Sequence, residues 1–301
     1  MNRDHFIISV YCLTCQEYRA IQSQQRIRQA GFAPTFTDEE ALTIELCGEV
    51  FGLSTDEAIY DYFKQHYGHF FPNLPAPNGH PSQFVRQLAN LWMVKTMIQQ
   101  RLVCQSGQAD EPIQVIDTLP VPVCVYTRRV RDLNFKPYAD YGHCAAKQLD
   151  FYGFKLGLRI TRLGMITHYV LLPARPHDSQ LVDDLLAGFE GAALADKGFI
   201  DAFHQLELAR KRTIELITPA RRNMKVQPPQ HIKAFSAYWR KRIETVGAQL
   251  AGRFAIERIR VRDLWHLQHR LIRKILAHTI CVWLNLHLGR PALDFDGLLA
   301  F

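Results

Sequence analysis

Apolar positions recur at helical spacing through the first hundred residues and at strand spacing after them. Thr37-Asp38-Glu39-Glu40 sets Thr three residues before Glu, the spacing of a capping box, and opens an apolar-periodic run to about Val50. Ser54-Thr55-Asp56-Glu57 repeats that signal ahead of Ile59, Tyr62 and Phe63. A loop rich in Pro and Asn follows over residues 72–81, and Ser82 then opens a longer helix carrying Phe84, Leu88, Leu91, Trp92 and Ile98. Short helices joined by tight turns predict an all-α N-terminal domain over residues 1–105. A helix-turn-helix-like DNA-binding module is one reading of it, and a packing domain without DNA contact is the other.

The texture changes at Gln105 to Pro112, where Gly107, Asp110 and Pro112 predict a linker. Ile113 to Ile116 is a β-branched run that leads into Asp117. Tyr152 to Thr161 alternates as a half-buried strand does, and Met165 to Leu172 follows beyond a turn at Leu163-Gly164. A helix starting at Pro176-His177-Asp178-Ser179 covers Leu181, Val182, Leu185 and Leu186. A short strand, Ala192 to Ala195, runs into Asp196; Asp201 to Arg212 is helical, and Thr213 to Thr218 is a strand again. A basic loop spans residues 220–230, and helical pattern covers Ile232 to about Arg262 and Leu264 to Leu288. Three strands, a helix, a strand, a helix, a strand and a long helix is the element order of a ribonuclease H-like core. The expectation is an α/β catalytic domain over residues 106–262, with a mixed five-stranded sheet and flanking helices, and a C-terminal helical segment over 263–301. Whether that last helix packs on the core or on a partner is left open by its pattern.

Composition narrows this little. The net charge is +7, from 36 Lys and Arg against 29 Asp and Glu, which is compatible with nucleic acid without requiring it. Seven cysteines, mostly inside apolar runs, predict reduced, buried thiols. Cys12-Leu13-Thr14-Cys15 has no second ligand pair at zinc-finger spacing. His266 and His269, three apart on one helix without acidic neighbours, are expected in surface or packing roles. Met1 to His5 does not open like a signal peptide, and Ile275 to Leu288 is too short and too polar to span a bilayer.

The informative residues are acidic. Asp117 and Asp196 each follow an apolar strand, where a carboxylate is costly unless a cation offsets its desolvation. A helix cap or turn is the bland alternative for each. A third acid from the long helix completes a metal-binding set. Glu244 in Arg240-Lys241-Arg242-Ile243-Glu244-Thr245-Val246 is one candidate, its face continuing through the small residues Ala248 and Ala251, which a sheet can approach closely. Glu257 is the rival, and an exposed ion pair with Arg240 is the simpler role for Glu244. Three carboxylates can hold two Mg²⁺ or Mn²⁺ ions for an in-line attack on a phosphodiester. Arg221, Arg222, Lys225, Lys233, Arg240, Lys241 and Arg242 form a basic surround that is either a phosphate-neutralising surface or a solvated face.

These residues fall into ordered motifs. Ile116-Asp117-Thr118-Leu119-Pro120-Val121-Pro122-Val123-Cys124 resembles the first catalytic-Asp segment of the bacterial insertion-sequence DDE transposases. Tyr141-Gly142-His143-Cys144-Ala145-Ala146-Lys147 with Phe151-Tyr152-Gly153-Phe154-Lys155, Pro176-His177-Asp178, Ala195-Asp196-Lys197-Gly198-Phe199 and Arg240 to Leu250 resemble the motifs that follow it in that family. The resemblance covers roughly residues 35 to 285. It implies a ribonuclease H-like domain, two Mg²⁺ or Mn²⁺ ions, and a triad of Asp117, Asp196 and Glu244, so that Glu244 is taken over Glu257. It also implies DNA contacts from Lys147, Lys155, Lys197, Arg221, Arg222, Arg240 and Lys241, with His177 or Asp178 near the site. Two positions depart from the family: Ala251 stands where relatives often carry Lys, and Tyr238 precedes Arg240 by two residues where the wider pattern expects three.

The implied activity is cleavage at terminal inverted repeats and strand transfer into target DNA, by a homodimer in a synaptic complex, in the nucleoid-associated cytoplasm of a bacterium. A ribonuclease H-like nuclease without strand transfer, or a DNA-binding relic without catalysis, are the alternatives.

Overall fold

A computed structural model describes residues 1–28, 34–75, 82–125, 134–144, 147–220, 227 and 229–299. Helices α1 (Arg3–Gln24), α2 (Asp38–Val50), α3 (Asp56–Tyr67), α4 (Ser82–Asn90) and α5 (Trp92–Gln105) come first. Strands β1 (Ile113–Val125), β2 (Asp140–Cys144), β3 (Leu149–Thr161) and β4 (Ile166–Pro173) follow, then a short helix α6 (Val182–Leu185) and β5 (Gly191–Leu194). Helix α7 (Ala202–Arg212), β6 (Ile214–Ile217), α8 (Gln230–Gly252), α9 (Leu264–His287) and α10 (Phe295–Leu298) complete the described chain. It divides into two compact units, Met1–Gln105 with Leu250–Phe301, and Ser106–Gln249. The C-terminal helix α9 thus packs with α2, α4 and α5.

In the helical unit the capping box at α2 forms as read: Thr37 accepts from the Glu40 amide, and the Glu40 carboxylate accepts from the Thr37 amide. Helix α2 is buried from Ala41 to Val50, on every face, so its polar residues need partners inside the bundle. Glu45 takes the Lys95 ammonium at 2.8 Å; Glu49 takes Arg273 at 2.7 Å and Lys274 at 2.9 Å. Asp56, at the head of α3, takes Arg270 and Arg273, each at 2.5 Å, and these cations hold its carboxyl down at about 2. Lys95 also donates to the Leu88 carbonyl at 3.0 Å and meets His269 Nδ1 at 2.7 Å. That buried ammonium anchors the break between α4 and α5, so the single helix expected from Ser82 to Ile98 is two. His269 is a packing residue at the centre of this network, fully buried.

The second unit is built on one sheet. β3 is its spine: β1 runs antiparallel along one edge, while β2 pairs with its first residues and β4 with the remainder of the other edge. Beyond β1 lie β5 and then β6, both parallel. The order β4–β3–β1–β5–β6 is a ribonuclease H-like core, and β2 is a sixth strand. The five-stranded expectation is corrected on this point. Asp140-Tyr141-Gly142-His143-Cys144 lacks an apolar alternation and was not read as a strand, and only its pairing with β3 makes it one. Gly164, at φ +85°, closes the β3–β4 turn as anticipated. On one face of the sheet Ile116, Ala193 and Ile214 pack against Leu181, Val182, Leu185 and Leu186. Arg159 donates to the carbonyls of Leu185 and Ala187 at the end of α6. On the other face, α8 lies close because Gly247 has no side chain: a Cβ there would meet Leu119 at 3.2 Å.

All seven cysteines are free, but only Cys47 and Cys281 are buried, while Cys12 and Cys104 are exposed; the expectation of generally buried thiols is corrected. Their helices face those positions outward. Among the described residues no helix is long and apolar enough to cross a membrane.

The buried network generates a stability test. Lys95→Met strands the Glu45 carboxylate in the bundle and should lower unfolding free energy by about 3–5 kcal/mol, read from urea melts. The double variant Glu45→Leu/Lys95→Met should recover much of that loss. A double variant as unstable as the single one would contradict this account.

Candidate active site

Parallel pairing brings the first two acids level. β1 and β5 pair Ile113 with Ala192, Gln114 with Ala193 and Val115 with Leu194. Continuing that register two residues sets Asp117 beside Asp196, just past the end of β5. Asp117 is held by its neighbour in sequence, the Thr118 amide donating to its Oδ1 at 2.8 Å. Asp196 heads the 3-10 turn Lys197–Phe199 but makes no capping bond through its side chain, so its carboxylate is free to face the cleft. The turn reading of Asp196 therefore describes its backbone and leaves its carboxylate unexplained.

Glu244 comes from α8. The face of α8 that packs inward is Ile243, Val246, Gly247 and Leu250; Glu244 and Ala248 are exposed. This corrects the expectation that the small residues following Glu244 on its own face seat it against the sheet. Gly247 makes the approach, and Glu244 stands at the rim where a ligand can reach it.

Two of the three acids share a cation. Arg240, one turn before Glu244, places its guanidinium 3.4 Å from Asp196 and 3.9 Å from Glu244. The ion pair with Arg240 is thus present, but the same arginine also holds the strand-end acid. A fourth acid joins them. Asp178 begins the 3-10 turn Asp178–Leu181 and accepts from Lys155 at 2.9 Å, while Lys155 also donates to the Pro176 carbonyl at 2.9 Å. Gly198 makes room for it: a Cβ there would meet Asp178 Oδ2 at 2.9 Å. The expectation from the resemblance left His177 or Asp178 near the site, and it is the Asp178 carboxylate that acts on Asp117. Its signal was the spacing of His177-Asp178 ahead of Asp196-Lys197-Gly198, where the glycine admits the carboxylate.

Burial above all raises the Asp117 carboxyl to about 6; the Thr118 amide pulls it down, the charges of Asp196 and Asp178 push it up, and Arg240 pulls it down. A desolvated acid beside two others has one natural complement, a hard cation. The donors are all carboxylate oxygens, which suits Mg²⁺ or Mn²⁺ rather than zinc. Among the described residues no group of three or more His, Cys, Asp or Glu stands close enough together to hold a metal ion. The cation among the acids in this conformation is Arg240.

Of the basic residues, Lys197 is exposed and shares with Lys233, Ser236 and Arg240 a cavity of about 310 Å³ beside Asp196. Lys155 is engaged by Asp178. Lys147 and Lys241 are exposed, on the turn before β3 and on α8. Arg221 and Arg222 lie outside the described residues. Glu257 falls in the 3-10 turn Ile256–Arg258 of the helical unit, whereas Asp117, Asp196 and Glu244 share the sheet unit.

A sheet of this order, with Asp117 within β1 beside Asp196 past the end of β5, defines a ribonuclease H-like, DDE-type domain. The family model "Transposase DDE domain" matches residues 107–264, just over half of the chain, and the protein belongs to that family. No curated protein and no solved structure matches it. Family membership carries a DNA partner and, as is general for such domains, dependence on a divalent metal.

The raised Asp117 carboxyl has a signed consequence for stability. Its folded value lies above its ordinary 3.8, so its contribution is full below that pH and is lost as pH rises through about 6. Without divalent ions, Asp117→Asn should therefore be more stable than wild type at pH 8, by roughly 1–3 kcal/mol at about 1.4 kcal/mol per pKa unit. The advantage should vanish by pH 4. Thermal melts of both proteins across that range decide it, and a variant less stable than wild type at pH 8 would refute the assignment.

Proposed function

We infer that this transposase cuts DNA at the terminal inverted repeats of its own element and joins the ends to target DNA, with Asp117, Asp196 and Glu244 as its metal-binding triad. The observation that carries the reading is the parallel register that sets Asp117 level with Asp196, with Arg240 spanning from Asp196 to Glu244. Two Mg²⁺ or Mn²⁺ ions would supply activation of the attacking hydroxyl and stabilisation of the leaving oxygen. Asp117 and Asp196 would hold one of these ions, and Glu244 would complete the set for the second. Arg240 withdraws from the carboxylates and takes a DNA phosphate, which its guanidinium suits as well as it suits an acid. Lys197 and Lys241 neutralise backbone phosphates beside it, and Lys147, Arg221 and Arg222 extend the track. Lys155 positions Asp178 rather than acting on DNA alone. Two element ends must meet in one complex, so the working form is a homodimer on paired ends, acting in the bacterial nucleoid.

The test is cleavage and joining of duplex DNA carrying the element's ends, in Mg²⁺ and in Mn²⁺. Wild type should cut and join. Asp117→Asn, Asp196→Asn and Glu244→Gln should bind that DNA and lose both steps by at least a thousandfold, on the order expected when a metal ligand is removed. Cutting without joining would make the protein a nuclease. Binding without either step in either metal would leave a DNA-binding relic. In the same assay Arg240→Gln should weaken end binding and flatten its salt dependence by about one phosphate contact.

A further inference from the structure

A second cavity lies on the sheet unit, about 580 Å³ in volume, where the end of β4 passes the start of β2. Three tyrosines and two cations line it: Tyr138, Tyr141, Tyr152, Lys136 and Arg175, with Asp140 beside them. The strands fix two of the rings. Tyr141 pairs with Tyr152 across β2 and β3, and their rings meet edge to face at 5.4 Å. Tyr138 is half-exposed, on a turn in which its amide and that of Ala139 donate to the Phe135 carbonyl. The turn is anchored by Phe135, fully buried and edge-on to Phe154 at 6.2 Å. The Ala174 amide donates to the Gly153 carbonyl at 3.1 Å, which ties the segment carrying Arg175 to β3. The pocket is therefore built on the sheet rather than on a loop alone.

We propose that this pocket receives a nucleobase unstacked from the DNA, with its neighbouring phosphates held by Lys136 and Arg175. Aromatic faces interleaved with cations are the chemistry of single-stranded nucleic-acid binding: the rings stack on the base, and the charges take the backbone on either side. A simple anion would have no use for three aromatic rings. An apolar peptide would bring no counter-charge to the two cations.

The position fits the same substrate as the carboxylates. By strand alternation Tyr152 and its partner Tyr141 lie on the face of β3 shared by Leu158, the register partner of Asp117. Tyr152 is about 20 Å from Leu158 along the strand, at about 3.3 Å per residue. That is about six nucleotide steps at about 3.4 Å each, so one DNA strand can reach both places.

This rests on the DNA-processing reading, and the experiment separates the two. The full-length protein is titrated against three labelled probes: duplex DNA, a short oligo(dT), and an abasic oligomer with the same phosphates and no bases. Wild type should bind oligo(dT) at least fivefold tighter than the abasic strand. Tyr138→Ala should erase that difference and leave duplex binding unchanged, while Tyr138→Trp keeps it. Arg175→Gln should weaken both single strands alike. Equal wild-type binding to the two single strands overturns the pocket and leaves the DNA reading standing. So does a Tyr138→Ala variant, folded by its thermal melt, that retains the full preference. If Tyr138→Ala does not fold, Tyr138→Leu, which keeps the bulk without the ring face, must erase the preference. Failure to bind any of the three probes overturns both.

Discussion

Burial of one carboxyl among other acids sets the character of the sheet unit's candidate site. Asp117 lies within β1 beside Asp196, Asp178 is near enough for its charge to act on it, and burial raises the Asp117 carboxyl to about 6. The surrounding groups offset this charge in part. Asp178 is tied to Lys155, Asp196 and Glu244 to Arg240, and Gly198 leaves space for the Asp178 carboxylate. Acids held by so few fixed cations suit the divalent ion on which such domains generally depend.

The helical unit solves the opposite problem. There the acids Glu45, Glu49 and Asp56 are paired with Lys95, Arg270, Arg273 and Lys274 in a dry interior, and nothing at their positions invites a metal. One chain thus contains two acid-rich centres. What separates them is the supply of fixed cations: four in the bundle for three acids, against Arg240 and Lys155 for Asp117, Asp178, Asp196 and Glu244.

Much of this was legible in the residues. The capping box at Thr37, the turn at Gly164 and the position of Asp196 past the end of β5 follow from local chemistry, and local chemistry reads well in sequence; Asp117, expected at a strand's end, lies within β1, which its pairing with β3 extends to Val125. The parts that were not legible depend on distant partners. β2 becomes a strand only because β3 offers it an edge, and its own residues do not alternate. The break after Asn90 is tied to a buried Lys95 whose acid lies in α2. Spacing alone could not choose between Glu244 and Glu257, and the family resemblance made that choice. The face reasoning around Ala248 was misdirected, because a ligand-binding carboxylate belongs at a helix rim and the close approach falls to the neighbouring Gly247. Asp178 was half seen: its motif was noted, but its proximity to Gly198 is a fact of tertiary packing.

The pairing of Glu49 and Asp56 with Arg273 joins residues separated by most of the chain. As the protein is synthesised, the first helices emerge with Glu49 and Asp56 lacking their α9 counter-charges, and they stay so while the whole sheet unit is made. The bundle can close only when α9 has left the ribosome. A message that ends before α9 therefore yields a polypeptide whose helical unit never locks, and for a transposase this ties the finished bundle to translation through that helix.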